Sequence, residues 1–203
     1  HHAGPRMIGR FEVLRLVGAG ATGKVYAARD PETGRTVAIK ILSKELANRT
    51  GAVKRFIREA QAASTISHRN VVYIHDFGEA EDGLLYYVME YLRGRDLAGL
   101  LAAEGRLPWA RARSILLQSV RAIKAAHDAK IIHRDIKPAN VFLVDASEDE
   151  PNGVVKVLDF GIAKTDQLTT NTALTGFGDI MGTAWYMAPE IAQGKPADAR
   201  SDV

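Results

Sequence analysis

The chain of 203 residues contains no cysteine, which excludes disulfides, thiol nucleophiles and Cys-ligated zinc. It also lacks any apolar run near the roughly 18 residues that a membrane span needs, so no membrane contact is expected within this chain. No stretch concentrates positive charge. The 27 Lys and Arg and 24 Asp and Glu are spread along the chain and leave a net charge of +3. With a pI near 9.2 this gives only weak attraction to anionic partners, and nucleic acid is not expected among them. Residues 1–6 carry no apolar stretch behind them and so form no secretory signal. Internal repeats and low-complexity tracts are absent as well. What remains is ordinary: 46% hydrophobic and 25% charged residues, enough for a packed core in one domain or two small lobes. His1-His2-Ala3-Gly4-Pro5 reads as a tag remnant or upstream translation and Met7 as the natural start, so residues 1–6 stay outside the fold reading.

The first third is strand-rich. Residues 11–17 and 25–28 are β-leaning runs flanking a glycine cluster, and residues 36–42 follow the turn Asp30-Pro31-Glu32-Thr33-Gly34. Val53, Phe56, Ile57, Ala60, Ala63 and Ser64 then fall on one helical stripe. Apolar runs at 71–74 and 84–89 follow, split by Gly78 and Asp82-Gly83. This pattern predicts a five-stranded antiparallel sheet with one helix. Past Leu92-Arg93-Gly94-Arg95 the character changes to helical. Asp96 is placed to N-cap a short helix through residue 103, and residues 109–129 form a long helix with Ala112, Ile115, Leu116, Ser119, Val120 and Ile123 on one side. Short strands at 141–144 and 154–158 flank a polar turn. A Thr- and Gly-rich loop follows, with a helical turn near 187–193.

Gly18-Ala19-Gly20-Ala21-Thr22-Gly23-Lys24-Val25 satisfies several phosphate-loop patterns at once, because glycines let backbone N–H groups approach phosphate oxygens closely. As a Walker loop it fails at Val25, where a Ser or Thr hydroxyl should hold magnesium. Both a Walker loop and a Rossmann turn must also open a helix, whereas Val25-Tyr26-Ala27-Ala28 is β-branched, aromatic and short. A glycine-rich hairpin fits better.

Val37-Ala38-Ile39-Lys40 puts a lysine on the next strand, and Glu59 lies beside the apolar stripe of the following helix. An ion pair between them would hold the lysine head for the α/β-phosphates of a nucleotide. His133-Arg134-Asp135-Ile136-Lys137-Pro138-Ala139-Asn140 is more specific: it gathers a carboxylate, an ammonium and a carboxamide in one loop that Pro138 bars from helix. Phosphoryl transfer needs a carboxylate for the acceptor hydroxyl proton, positive charge on the moving group and oxygen ligands for magnesium, which Asp135, Lys137 and Asn140 supply in that order. Asp159-Phe160-Gly161 presents a second carboxylate at a strand end, and Met187-Ala188-Pro189-Glu190 marks a helix start.

In this order, GAGATGKVY, VAIK, Glu59, HRDIKPAN, DFG and MAPE resemble the protein kinase signature set from Phe11 to Val203, and the wording of HRDIKPANVFL and YMAPE is most similar to the eukaryotic-like Ser/Thr kinases of bacteria. The resemblance implies an α+β, two-lobed kinase fold, with residues 7–92 as an N-lobe of five-stranded sheet plus one helix and 93–203 as an incomplete, mainly helical C-lobe. It implies ATP and Mg2+ as cofactors and a cytoplasmic catalytic domain. By family pattern Val17, Gly18, Ala19, Gly20, Ala21, Thr22, Gly23, Lys24 and Val25 surround the nucleotide. Ala38 covers adenine from above with Val25, Phe142 covers it from below, Met89 is the gatekeeper, and Glu90 and Leu92 offer hinge backbone groups. Lys40 and Glu59 position phosphates, Asn140 and Asp159 hold the metal, and Thr183 braces Asp135 and Lys137.

Lys137, two residues after Asp135, resembles the Ser/Thr branch. Small-molecule phosphotransferases share the fold but generally lack the long segment that residues 162–190 form here, so protein is the expected acceptor. The cation of Arg134 and the threonines of that segment imply autophosphorylation on the activation loop, with Thr175 the first candidate and Thr172 the second, and self-association in trans. The alternative is a catalytically impaired kinase fragment or pseudokinase-like ATP-binding module; Lys40, Glu59, Asp135, Asn140 and Asp159 stand against inactivation by substitution, while inactivation by truncation stays open. In the family, the Asp matching Asp202 opens a buried helix beneath the catalytic loop. The natural protein is therefore expected to continue past Val203, and within these residues Asp202 has nothing to anchor and Glu190 lacks its usual arginine.

Overall fold

The computed structural model describes residues 6–20, 23–42, 52–80, 83–147, 153–160 and 185–203. The chain forms two compact units, residues 1–64 with 73–92 and residues 65–72 with 93–203.

In the first unit, runs of β-branched and aromatic residues separated by glycine turns pair as an antiparallel sheet of strands β1 (Met7–Ile8), β2 (Phe11–Gly20), β3 (Gly23–Arg29), β4 (Thr36–Leu42), β5 (Ile74–Glu79) and β6 (Leu85–Glu90). Their order is β1-β2-β3-β4-β6-β5, so the five expected strands gain a two-residue edge strand. The turn between β3 and β4 is held by Asp30, whose carboxylate accepts from Glu32 N–H at 3.0 Å and Thr33 Oγ1 at 2.9 Å. Gly34 there takes φ +68°, a conformation costly for any other residue.

Alternation divides the two faces of this sheet. Ile8, Phe11, Tyr26, Ala28, Val37, Ile39, Tyr86 and Val88 form a buried cluster on one face. Helix α1 (Ala52–Ser64) packs through Phe56, whose ring lies 5.5 Å from that of Tyr87. Phe56, Ala60 and Ala63 of the expected stripe are buried.

The second unit has a three-stranded antiparallel sheet, β7 (Gly94–Asp96), β8 (Val141–Val144) and β9 (Val154–Val157), in that order. Asp96 caps helix α2 (Leu97–Glu104) by accepting from Gly99 N–H at 2.8 Å. Helix α3 (Trp109–Asp128) packs on Val141 and Val155 through Ile115 and Leu100 of α2. Its buried positions include Ile115, Ala122, Ile123 and Ala126; of the expected stripe Ile115 and Ile123 are buried and Ala112 and Ser119 half-buried, while Leu116 and Val120 are 56% and 63% exposed. Gln118 also faces inward, where its Oε1 accepts from Asn70 Nδ2 and from Val155 N–H, each at 3.0 Å. Another departure lies at 71–74. Val71 and Val72 belong to the second unit, where Val72 N–H binds Val157 O at 3.1 Å, and β5 begins only at Ile74. The last elements are a 3₁₀ turn (Pro138–Asn140), α4 (Pro189–Ala192) and a 3₁₀ turn (Ala199–Asp202). Among the described residues no helix is long and apolar enough to cross a membrane.

One packing detail is testable. A Cβ at Gly78 would stand 2.7 Å from Tyr86 Oη and 2.9 Å from its Cζ. Gly78→Ala is expected to destabilise the protein by about 1–3 kcal/mol through overpacking. The loss, read from denaturant midpoints, should shrink in a Tyr86→Phe background, and an equal loss in both backgrounds would contradict this contact.

Candidate active site

In the first unit, cross-strand register collects the expected nucleotide-facing residues. Directly opposed residues on antiparallel strands share a face. Lys40 pairs with Val25 and with Tyr87, and Ala38 pairs with Ala27 and with Met89. Val25, Ala38, Lys40 and Met89 therefore project from one face, opposite the buried cluster. That is also the face on which Tyr87 meets Phe56 of α1, three residues before Glu59. The lysine is 6% exposed despite its charge. Glu59 lies within the described backbone of α1, but its side chain lies outside the described residues.

The glycine cluster is a hairpin, with Gly20 opposite Gly23, Ala19 opposite Lys24 and Gly18 opposite Val25. Ala21 and Thr22 at its tip lie outside the described residues. An added Cβ at Gly18 or Gly20 would meet nothing within 4 Å. The protein's own packing does not demand glycine there, and both positions leave bare backbone beside open space, as a phosphate-binding loop requires. Val17 is 48% exposed on the same strand. Glu90 donates its backbone N–H to Tyr73 O at 3.0 Å and accepts Tyr73 N–H at 2.8 Å on its carboxylate. The backbone offering expected of Glu90 thus narrows to its carbonyl. Leu92 is half-buried at the end of this unit.

In the second unit the loop 133–140 closes on itself. Pro138 sits at the first position of the 3₁₀ turn, where its missing N–H costs nothing. Asn140 is 6% exposed and donates Nδ2 to Asp135 O at 2.7 Å and to Asp135 Oδ2 at 3.1 Å. Lys137 Nζ lies 3.4 Å from the same Oδ2. Asp135, Lys137 and Asn140 are therefore brought together. Because the amide nitrogen of Asn140 is engaged, its Oδ1 is the edge left to act as an acceptor. Leu158 N–H binds Asn140 O at 2.9 Å, which ties β9 and the following Asp159 to this loop. Phe142 alternates with Val141 and Leu143, both of which pack into the core of this unit, and so lies on the other face of β8.

His133 is fully buried. Its Nδ1 accepts Asp135 N–H at 3.2 Å, so its Nε2 carries the proton and donates it to Leu158 O at 2.8 Å. Burial holds its pKa below the ordinary imidazole range, which keeps this tautomer neutral. The Phe160 ring lies 4.7 Å away. Arg134 and Asp159 take φ of +66° and +48°, left-handed values uncommon outside glycine.

Sequence reasoning missed the group that holds this loop. Asp202, expected to have nothing to anchor, accepts from His133 N–H and Arg134 N–H, each at 2.7 Å, and from His127 Nε2 at 2.8 Å. Its side chain is wholly shielded. The expectation fails because the 3₁₀ turn Ala199–Asp202 by itself presents the carboxylate to the loop. Glu190, expected to want an arginine, accepts a hydrogen bond from Ser201 Oγ. No local motif pairs His127 with Asp202, which lie 75 positions apart. Gly161, Thr183, Thr172 and Thr175 lie outside the described residues.

Asn140 and Asp159 offer oxygen ligands alone, the donor type that hard divalent cations prefer. Among the described residues no cluster of three or more His, Cys, Asp or Glu is poised to enclose a metal. Such a pair fits an ion whose remaining ligands come from phosphate oxygens and water.

Comparison with known proteins agrees with this chemistry. Residues 11–203 match the protein kinase domain family. The chain is 43% identical over its whole length to the serine/threonine-protein kinase pkn3 of Myxococcus xanthus, of which it covers 37%. It is 42% identical over 98% of its length to the serine/threonine-protein kinase PrkC of Bacillus subtilis, of which it covers 29%. The chain thus spans about a third of the curated relatives it matches. Among solved structures, the PknI kinase domain of Mycobacterium tuberculosis superposes with a TM-score of 0.75 at 29% identity, covering 97% of this chain and 70% of that one. With its fold, catalytic loop and full-length sequence match in agreement, this chain belongs to the protein kinase family.

Proposed function

We propose that this chain is the catalytic part of a Ser/Thr protein kinase that moves the γ-phosphoryl group of ATP, as its Mg2+ complex, to Ser or Thr hydroxyls of proteins. The observation that carries the reading is the convergence of Asn140 Nδ2 and Lys137 Nζ on one carboxylate oxygen of Asp135. Residues 7–92 would serve as the nucleotide lobe and 93–203 as part of the acceptor lobe.

The roles follow from chemistry. Asp135 orients the acceptor hydroxyl and takes its proton as the new P–O bond forms and the bond to the β,γ-bridging oxygen breaks, leaving ADP. Lys137 and Lys40 place positive charge, Lys137 against the transferred group and Lys40 at the α/β-phosphates, with Glu59 as the ion-pair partner of Lys40. The backbone around Gly18, Gly20 and Gly23 would lie against the phosphates and Val17, Val25, Ala38 and Met89 of the first unit against the adenine, while Phe142 takes its adenine role from the family resemblance. Asn140 and Asp159 would hold the metal, which when bound would neutralise phosphate charge. Thr183 braces Asp135 and Lys137. Protein rather than a small alcohol is the acceptor, because residues 162–190 supply a long segment before Glu190. The domain works where ATP is plentiful, in the cytoplasm, and pairs of chains meet transiently to phosphorylate each other.

Asp135→Asn and Asp159→Asn are each expected to cut transfer from radiolabelled ATP to a generic acceptor protein by about 10²–10⁴-fold. Folding should be retained, as judged by the thermal transition. Near-normal turnover in either variant would refute its assigned role, and nucleotide-dependent thermal stabilisation without any transfer by the unsubstituted chain would identify a binding module instead.

Autophosphorylation is checked by mass spectrometry after incubation with ATP and Mg2+. Phosphate is expected on Thr175 first and Thr172 second, at a rate that rises with protein concentration. An active protein whose 161–184 segment stays unmodified would end this part of the proposal.

A further inference from the structure

The turn Ala199–Asp202 holds two neighbouring side chains that reach different elements. Asp202 grips the backbone of His133 and Arg134, and Ser201 donates to Glu190 at the start of α4. The turn itself is closed by a capping box: the Asp198 carboxylate accepts from the turn's backbone, and Asp198 N–H donates to Ser201 Oγ at 3.2 Å. A capping box more often carries Glu or Gln at the position of Ser201, and an ionised Glu there has no proton to offer elsewhere. A hydroxyl has both lone pairs and a proton, so Ser201 closes the box and still donates to Glu190. That bond is also the main reason the Glu190 carboxyl is held below the usual carboxylate range.

We propose that Ser201 is a positioning residue for the protein acceptor, coupling α4 and the residues before it to the loop that carries Asp135. The inference rests on the kinase reading above, in which 162–190 receives the acceptor polypeptide. Trp185 and Tyr186, just ahead of α4, are 81% and 57% exposed and offer aromatic surface to such a chain. The path from that surface to the chemistry is short. Glu190 is joined to Ser201, Ser201 adjoins Asp202, and Asp202 binds the two residues before Asp135. A 3₁₀ turn rises only about 2 Å per residue, which leaves little slack between the two anchors. Lys195 N–H on Glu190 O, at 2.8 Å, ties the chain just past α4 to the same residue.

The test is steady-state kinetics of Ser201→Ala, Ser201→Thr, Glu190→Gln and the double variant Ser201→Ala/Glu190→Gln in the full chain, with a Ser/Thr peptide acceptor and ATP varied separately. Ser201→Ala is expected to raise KM for the peptide about fivefold, as the loss of one partly exposed charge-assisted hydrogen bond would. KM for ATP and the thermal transition should stay within error. Ser201→Thr should restore the peptide KM, and the double variant should be no worse than Ser201→Ala. An unchanged peptide KM in Ser201→Ala would overturn the inference while leaving the kinase reading intact. So would a parallel rise in both KM values with a lowered transition, failure of the Thr variant to restore function, or strict additivity in the double variant. Absence of peptide phosphorylation by the unsubstituted chain would instead sink the kinase reading, and this inference with it.

Discussion

The carboxylate of Asp202 is shut off from solvent and receives three N–H donors, from His127, His133 and Arg134. A buried carboxylate is tolerable only when its lone pairs are met, and hydrogen bonds to a charged group are worth about 1.5–3 kcal/mol each. The same bonds fix the peptide planes that enter the catalytic loop. His133 then carries the order inward: its ring spans from Asp135 N–H to Leu158 O, joining the two stretches that present the two carboxylates. The chemistry of this unit depends less on any one reactive group than on the backbone that this anchor holds still.

The first unit reaches a comparable result by another route. Its expected nucleotide-facing residues are set out by the sheet itself. Their placement follows from antiparallel register alone, since Val25, Ala38, Lys40 and Met89 must share a face once β3, β4 and β6 pair as they do. A slip of one residue would turn Lys40 into the apolar cluster of Val37 and Ile39. The burial of Ile39 and Val88 on the far side therefore protects the position of the lysine as much as it stabilises the sheet.

Most of this was readable from residue order. Glycine and proline punctuation set the hairpins, Asp96 announced its helix, and the loop from His133 to Asn140 declared its chemistry. The family resemblance added roles that spacing alone leaves open. The failures share a physical cause. The buried side of α3 also carries Gln118, to which apolar periodicity gives no weight, an amide that turns inward to satisfy Asn70 and a strand N–H. Val71 and Val72 looked like the start of a strand, yet their partners lie in Val157, about 85 positions on. Asp202 was misjudged because it acts across about 70 residues, on His127, His133 and Arg134, through a side chain that no short pattern contains. Contacts set by local propensity were visible, and those set by tertiary hydrogen bonding were not.

Two residues in the site bear left-handed backbone angles with full side chains in place, Arg134 and Asp159. Such a conformation costs about 1–3 kcal/mol per residue and persists only where the surroundings enforce it. Glycine at either position would relax the backbone, but would delete a guanidinium in one case and, in the other, the carboxylate proposed to hold the metal. Heat tolerance and catalysis therefore compete at these two positions, and a search for hardier variants would have to gain its stability elsewhere in the chain.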